Sequence, residues 1–147
     1  MTTPFLMLVD DEVSFVETLA KRLDKREIRV ITAFSGIESL EMLKANQGLD
    51  VIVLDVKMPG MDGIETLRNI KKASPLTEVI MLTGHATVEA AIDGMKLGAY
   101  DFLMKPCDIE ELVSKVVEAA TKKQVHDEKI RDARDVRIKE ILDIYDS

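Results

Sequence analysis

The sequence predicts a doubly wound α/β domain with five parallel strands and five flanking helices. Three observations carry this. Five short, near-continuous apolar runs recur over the first 104 residues, apolar stripes at spacings of three and four separate them, and cap or turn residues stand at the junctions. Short apolar runs read as strands covered on both faces, and spaced stripes read as amphipathic helices. Regular alternation of the two implies a parallel sheet joined by right-handed crossovers, with helices on both faces.

The strands are expected at Phe5–Val9, Ile28–Thr32, Val51–Leu54, Val79–Leu82 and Tyr100–Met104, the second and third being rich in Val and Ile. The first helical stripe is Val13, Val16, Leu19, Ala20 and Leu23. Ile37, Leu40 and Leu43 form the second, with Ser35 placed as its N-cap. Ile64, Leu67 and Ile70 follow Gly63, and Pro75 closes that helix. Val88, Ala91, Ile92 and Met95 make the fourth, stopped by Gly98. Asp108 is a suitable N-cap for the fifth, which carries Ile109, Leu112, Val113, Val116, Val117 and Ala120. The sequence carries no internal repeat and no Gly/Ser linker. Its compositional shift lies near Thr121, so residues 1–121 are expected to form the domain and 122–147 a charged helical extension or linker.

Charge and composition narrow the function. The chain has 147 residues, enough for one core without disulfides, and a net charge of −7. From Thr121 onward seven basic residues balance seven acidic ones, so the preceding residues carry the whole excess. An acidic body without Trp and with 4% aromatics argues against direct nucleic-acid binding. The apolar runs are too short for a membrane span, and no secretory leader is evident. A single cysteine, Cys107, suits a reducing cytoplasm and reads as a small structural residue. Neither His85 nor His126 has a partner at zinc-ligand spacing.

In open parallel sheets, ligands bind beyond the carboxyl ends of the strands. Strand one ends in Asp10-Asp11-Glu12, strand three in Asp55, strand four in Thr83, and strand five in Lys105-Pro106. If the strand order is 2-1-3-4-5, one of the two common doubly wound orders, Asp10, Asp11 and Asp55 converge. Converging carboxylates repel unless one is protonated or a cation neutralises them. Mg²⁺ suits one or two carboxylates plus waters and phosphate oxygens. Lys105 adds a second positive charge and Thr83 a hydroxyl, so the set can support attack by a carboxylate on phosphorus. A lone strand-end Asp is more often a turn former, and a lone Lys a solvated side chain. The combination at four strand ends is what these bland readings do not explain.

Four stretches resemble the receiver domains of two-component response regulators. They are Leu8-Val9-Asp10-Asp11-Glu12, the run from Val53 through Asp55 to Met61-Asp62-Gly63, Met81-Leu82-Thr83-Gly84-His85, and Gly98 through Phe102 to Lys105-Pro106. The similarity spans roughly residues 4 to 121 in unbroken order. It implies a flavodoxin-like sheet of order 2-1-3-4-5. Asp55 is then the phosphoacceptor for a histidine kinase or phosphotransfer protein. Asp10, Asp11, Asp55 and the backbone carbonyl of Lys57 hold Mg²⁺. Thr83 is the switch hydroxyl, Phe102 the switch aromatic, and Lys105 the phosphate-binding lysine, with its bond to Pro106 cis. The switch changes the surface of helix four, strand five and helix five, which addresses a downstream protein. Lys57 and His85 occupy positions that tune the lifetime of the phosphorylated state, and Phe102 lacks the hydroxyl of the Tyr that many members carry. The Leu82-Thr83-Gly84-His85 run and the Ala-rich helix after it resemble receivers fused to AAA+ transcriptional activators, although no Walker A sequence follows.

The resemblance implies a cytoplasmic signalling protein rather than an enzyme, one that promotes only its own phosphorylation and dephosphorylation. The competing readings are the receiver portion of a larger transcriptional regulator and a Mg²⁺-dependent aspartyl phosphohydrolase. The latter usually carries a second Asp two residues after the nucleophile, where this chain has Lys57. A flavin or nucleotide domain would want a Gly- or Ser/Thr-rich loop after strand one, not three acids. The tail has no Pro or Gly, and Ile138, Ile141, Leu142 and Tyr145 restore a helical stripe near its end. Asp127–Arg131 and Asp135–Lys139 are placed for i, i+4 pairs. A homodimer through this helix, or docking on a partner, is the expectation.

Overall fold

The computed structural model describes residues 2–58, 60–84 and 88–146. Strands β1 (Phe5–Val9), β2 (Arg29–Ala33), β3 (Val51–Leu54), β4 (Glu78–Thr83) and β5 (Asp101–Met104) alternate with helices α1 (Val13–Asp24), α2 (Gly36–Ala45), α3 (Gly63–Ala73), α4 (Val88–Lys96) and α5 (Ile109–Asp146). The strands form one parallel sheet of order β2-β1-β3-β4-β5.

Side-chain alternation along each strand divides the core into two layers. Leu6 and Leu8 of β1, Val51 and Val53 of β3, and Ile80 and Leu82 of β4 pack against Val16, Leu19 and Leu23 of α1 and Leu112 and Val116 of α5. Met7, Val9, Ile52, Leu54, Val79 and Met81 point the other way, toward Leu43 of α2 and Leu67 and Ile70 of α3. Burial on both faces holds for β1, β3 and β4 but not for β2 and β5, which are only partly covered. Those two strands are the edges of this order, so one side of each lacks a neighbour.

Local chemistry sets the helix ends. The Ser35 hydroxyl accepts from the Glu38 amide at 3.1 Å, and the Asp62 carboxylate from the Glu65 amide at 2.8 Å, each relieving an orphan donor. Asp108 accepts from the Glu110 amide at 3.2 Å. Gly98, at φ +100°, turns the chain from α4 toward β5.

Helix α4 departs from the expected packing. Val88, Ile92 and Met95 are exposed, and Gly94 is its buried residue. Gly94 faces the sheet instead, where a Cβ would stand in ordinary contact with Met81 at 3.7 Å, and Ala91 is half-buried. Helix α5 runs without interruption for 38 residues. Its last buried residue is Lys123, and from Glu128 to Asp146 every residue is exposed.

Candidate functional site

The sheet register assembles the strand ends. Val9 pairs with Leu54, so Asp10 and Asp55 leave adjacent strands side by side, and the Asp55 amide donates to the Val9 carbonyl at 3.0 Å. Thr83 pairs with Met104, and the Lys105 amide donates to the Thr83 carbonyl at 3.0 Å. Gly63 allows α3 to begin hard against the loop after β3. A Cβ there would sit 2.2 Å from the Asp55 carbonyl oxygen and 2.5 Å from the Val56 Cα. Any larger residue at position 63 would displace the backbone that carries Asp55.

Carboxylate oxygens of Asp10, Asp11 and Asp55 lie within 4.8 Å of one another. Asp10 and Asp55 are buried and Asp11 is exposed, so the cluster opens to solvent on one side. Lys105 Nζ stands 2.5 Å from Asp10 Oδ2, 3.7 Å from Glu12 Oε1 and 3.9 Å from Asp55 Oδ2. Burial pushes the Asp55 carboxyl above its ordinary range, and the charge of Asp10 adds to this. Hydrogen bonding from Thr83 and the charge of Lys105 pull partly back. Burial works against the charge on Lys105, but its bond to Asp10 and the surrounding carboxylates outweigh it, so its pKa is raised.

One ammonium thus faces three carboxylates, with Asp11 beside two of them, and the imbalance falls on buried Asp55. An all-oxygen donor set with one open side fits a hard divalent cation such as Mg²⁺. The Lys57 amide donates weakly to Asp55 Oδ1 at 3.4 Å, leaving the Lys57 carbonyl uncommitted by that contact.

The expected site residues fall in one place. Asp10, Asp11, Asp55, Thr83 and Lys105 come together, Lys57 borders them, and the Lys105–Pro106 bond is cis. Phe102 lies apart, on β5 in the opposite core layer, half-buried. His85 lies outside the described residues. Two neighbours escaped the sequence reading: Glu12, which reaches Lys105, and Phe15, whose ring centroid is 4.1 Å from Lys105 Nζ. Glu12 stood in the acidic run and was legible as a charge. Phe15 gave no signal, because its contact spans ninety positions of sequence.

Comparison with known proteins settles the family. The response regulator receiver domain model matches residues 6–117. The chain belongs to this family. The receiver is 38% identical over 119 residues to the DNA-binding transcriptional regulator NtrC of Escherichia coli K12, covering 81% of this chain and 25% of that protein. It therefore spans about a quarter of the length of the curated relatives it matches. Among solved structures, a receiver domain protein from Clostridium thermocellum is 34% identical with a TM-score of 0.79, covering 83% of this chain and 98% of that one. A CheY-like receiver from Methanospirillum hungatei gives a TM-score of 0.80 at 26% identity, covering 85% and 99%.

Receivers are signalling modules of two-component systems that interact with kinases and output domains, and they generally bind Mg²⁺ at an acidic cluster of the kind formed by Asp10, Asp11 and Asp55. Among the described residues, no helix is long and apolar enough to cross a membrane.

Proposed function

We propose that this receiver is a cytoplasmic switch that accepts a phosphoryl group from a histidine kinase or phosphotransfer protein onto Asp55. The observation that carries the reading is the charge imbalance around a buried carboxylate at the mouth of the sheet. An Asp55 carboxylate oxygen forms the new bond to phosphorus as the bond from phosphorus to the donor's imidazole nitrogen breaks. The departing imidazole keeps the electron pair and is protonated from solvent. Asp10, Asp11, Asp55 and the Lys57 carbonyl would hold Mg²⁺, which when bound neutralises charge on the transferring group. Lys105 exchanges a carboxylate for a phosphoryl oxygen, and the Thr83 hydroxyl moves its hydrogen bond from the carboxylate to the phosphoryl group.

Thr83 is the last residue of β4, and Phe102 pairs with Met81 across β4 and β5. A displacement of Thr83 toward Asp55 would therefore be felt at Phe102 and on the neighbouring surface. That surface already exposes Val88, Ile92 and Met95 of α4, Met104 of β5 and Val117 of α5. Repacking there, for a Phe102 without a hydroxyl, is a matter of burial alone, and it would bias two surface states toward a downstream protein.

A second reading is favoured by the relatives' length: the chain corresponds to the receiver region of a longer regulator, with residues 122–147 as a helical extension leading onward. The exposed Ile138, Ile141, Leu142 and Tyr145 support a contact with a second copy.

The test is intact mass after incubation with acetyl phosphate. A Mg²⁺-dependent gain of one phosphoryl group, absent in Asp55→Asn, is expected. A protein that folds and binds Mg²⁺ yet gains no mass would end the proposal.

A further inference from the structure

We infer that Phe15 is a positioning residue for Lys105, holding its ammonium group at the phosphoacceptor site when the carboxylates are otherwise engaged; this rests on the phosphoacceptor reading above. Lys105 Nζ lies 4.1 Å from the Phe15 ring centroid, inside the range where a cation is attracted to the negative face of an aromatic ring. The ammonium is largely withdrawn from solvent, at 14% side-chain exposure, which strengthens that attraction.

Phe15, in the first turn of α1, is partly buried and packs by one side against the core layer under α1 and α5, so its ring is held in place. Its ring stands between the small cleft that reaches Asp10 and Asp55 and a second cavity of about 150 Å³. That second cavity lies between α1 and α5 and is lined by Leu19, Leu82, Lys105, Ile109 and Leu112 among others. The ring also makes a close contact with the cation that pairs with the site's carboxylates.

The charge balance explains why a ring serves here. Asp10, Glu12 and Asp55 hold Lys105 now, but the first and last also belong to the carboxylate cluster that suits a divalent cation. A cation bound there competes with Lys105 for those oxygens. A further carboxylate at position 15 would hold the ammonium too firmly and add to the repulsion. A ring attracts it without charge, so the ammonium can leave Asp10 for a phosphoryl oxygen without swinging into solvent. Phe15 thus acts through Lys105 and touches no reacting atom.

The experiment compares phosphorylation by acetyl phosphate in the full chain with Phe15→Leu, Phe15→Met and Phe15→Tyr. Leu and Met keep the apolar bulk and lose the ring, whereas Tyr keeps it. Phe15→Leu and Phe15→Met are expected to slow phosphorylation about five- to thirty-fold, equivalent to about 1–2 kcal/mol, while the protein stays folded at the assay temperature. Phe15→Tyr should recover the wild-type rate within about twofold. Proton–carbon correlation NMR checks the contact itself, since the Lys105 ε-methylene protons should be shifted upfield by the ring in wild type and in Phe15→Tyr and not in the other two. The rate rescue by Phe15→Tyr separates the ring's role from bulk alone. Wild-type rates in Phe15→Leu, or a Phe15→Tyr no faster than Phe15→Leu, overturn the inference alone. A wild-type protein that takes up no phosphoryl group removes the reaction itself, and both readings fall.

Discussion

Two acidic clusters cap opposite ends of the same sheet, and they are built on different charge balances. At the amino-terminal edge of the strands, buried Asp50 and Glu78 meet cations from α5. Lys123 Nζ lies 3.6 Å from Asp50 and 2.7 Å from Asp127, and Lys122 Nζ lies 3.7 Å from Glu78. Asp50 Oδ2 also accepts from the Phe5 amide at 3.0 Å and from the Gln124 side chain at 3.1 Å. Each buried carboxylate there has a cation, and together they tie β1, β3 and β4 to α5. At the carboxyl-terminal edge, Asp10, Glu12 and Asp55 share Lys105, Asp11 adds a further carboxylate beside them, and Asp55 is pushed toward its protonated form. The matched cluster is a fastening. The unmatched one is poised to take up positive charge, and that difference separates a site from a structural ion pair.

The largest effect is expected from breaking the fastening. Lys123→Met should destabilise the protein by about 2–3 kcal/mol, because it leaves buried Asp50 without its cation and removes the last buried charged anchor of α5. Urea denaturation measures it, and loss of helical circular dichroism in the native baseline would show α5 loosening.

At the other end the sign reverses. Asp55→Asn removes an unfavourable charge, so in metal-free buffer it should stabilise the protein by about 1–2 kcal/mol, or raise Tm by roughly 2–8 °C. The raised pKa of Asp55 sets the pH dependence. Its folded value exceeds the unfolded one, so the group favours folding fully below the unfolded pKa, and that contribution is lost as pH rises through the folded value. The advantage of Asp55→Asn should therefore be largest near neutral pH and shrink on acidification. Paired thermal melts at pH 5 and pH 7 in EDTA check this. Added Mg²⁺ should raise the wild-type Tm more than that of Asp55→Asn.

The smallest effect lies beyond both clusters. Removing residues 128–147 deletes, among the described residues, only exposed positions and should change monomer stability by less than about 0.5 kcal/mol. If the exposed stripe joins two copies, the same truncation lowers the molecular weight in solution from dimer to monomer, and an unchanged weight would dismiss that contact.

The two ends were not equally legible in the sequence. The site could be read because its acids, hydroxyl and lysine follow directly after apolar runs, and a parallel sheet brings all strand ends to one edge. Strand boundaries came within a residue for the same reason. The fastening was not legible. Lys122 and Lys123 open the charged tail and look like solvent-exposed residues, and nothing local reveals that α5 carries them across the foot of β3 and β4. Asp127 likewise meets Lys123 rather than the Arg131 that i, i+4 spacing suggested. Helix α4 misled differently. Its spaced large residues resemble a core stripe, but Gly94 is the residue it buries, and Val88, Ile92 and Met95 face outward. Long-range partners, unlike periodicity, leave no trace in the neighbouring sequence.

The central claim is that the unmatched cluster makes Asp55, and no other carboxylate, the phosphoacceptor. Borohydride reduces an acyl phosphate to an alcohol, so a phosphorylated aspartate is recovered as homoserine. The measurement is peptide sequencing by mass spectrometry after treatment with acetyl phosphate, Mg²⁺ and borohydride. Homoserine at position 55 alone is the predicted result. Homoserine at Asp10, Asp11 or Asp50, or none anywhere in a protein that has gained phosphoryl mass, would contradict it.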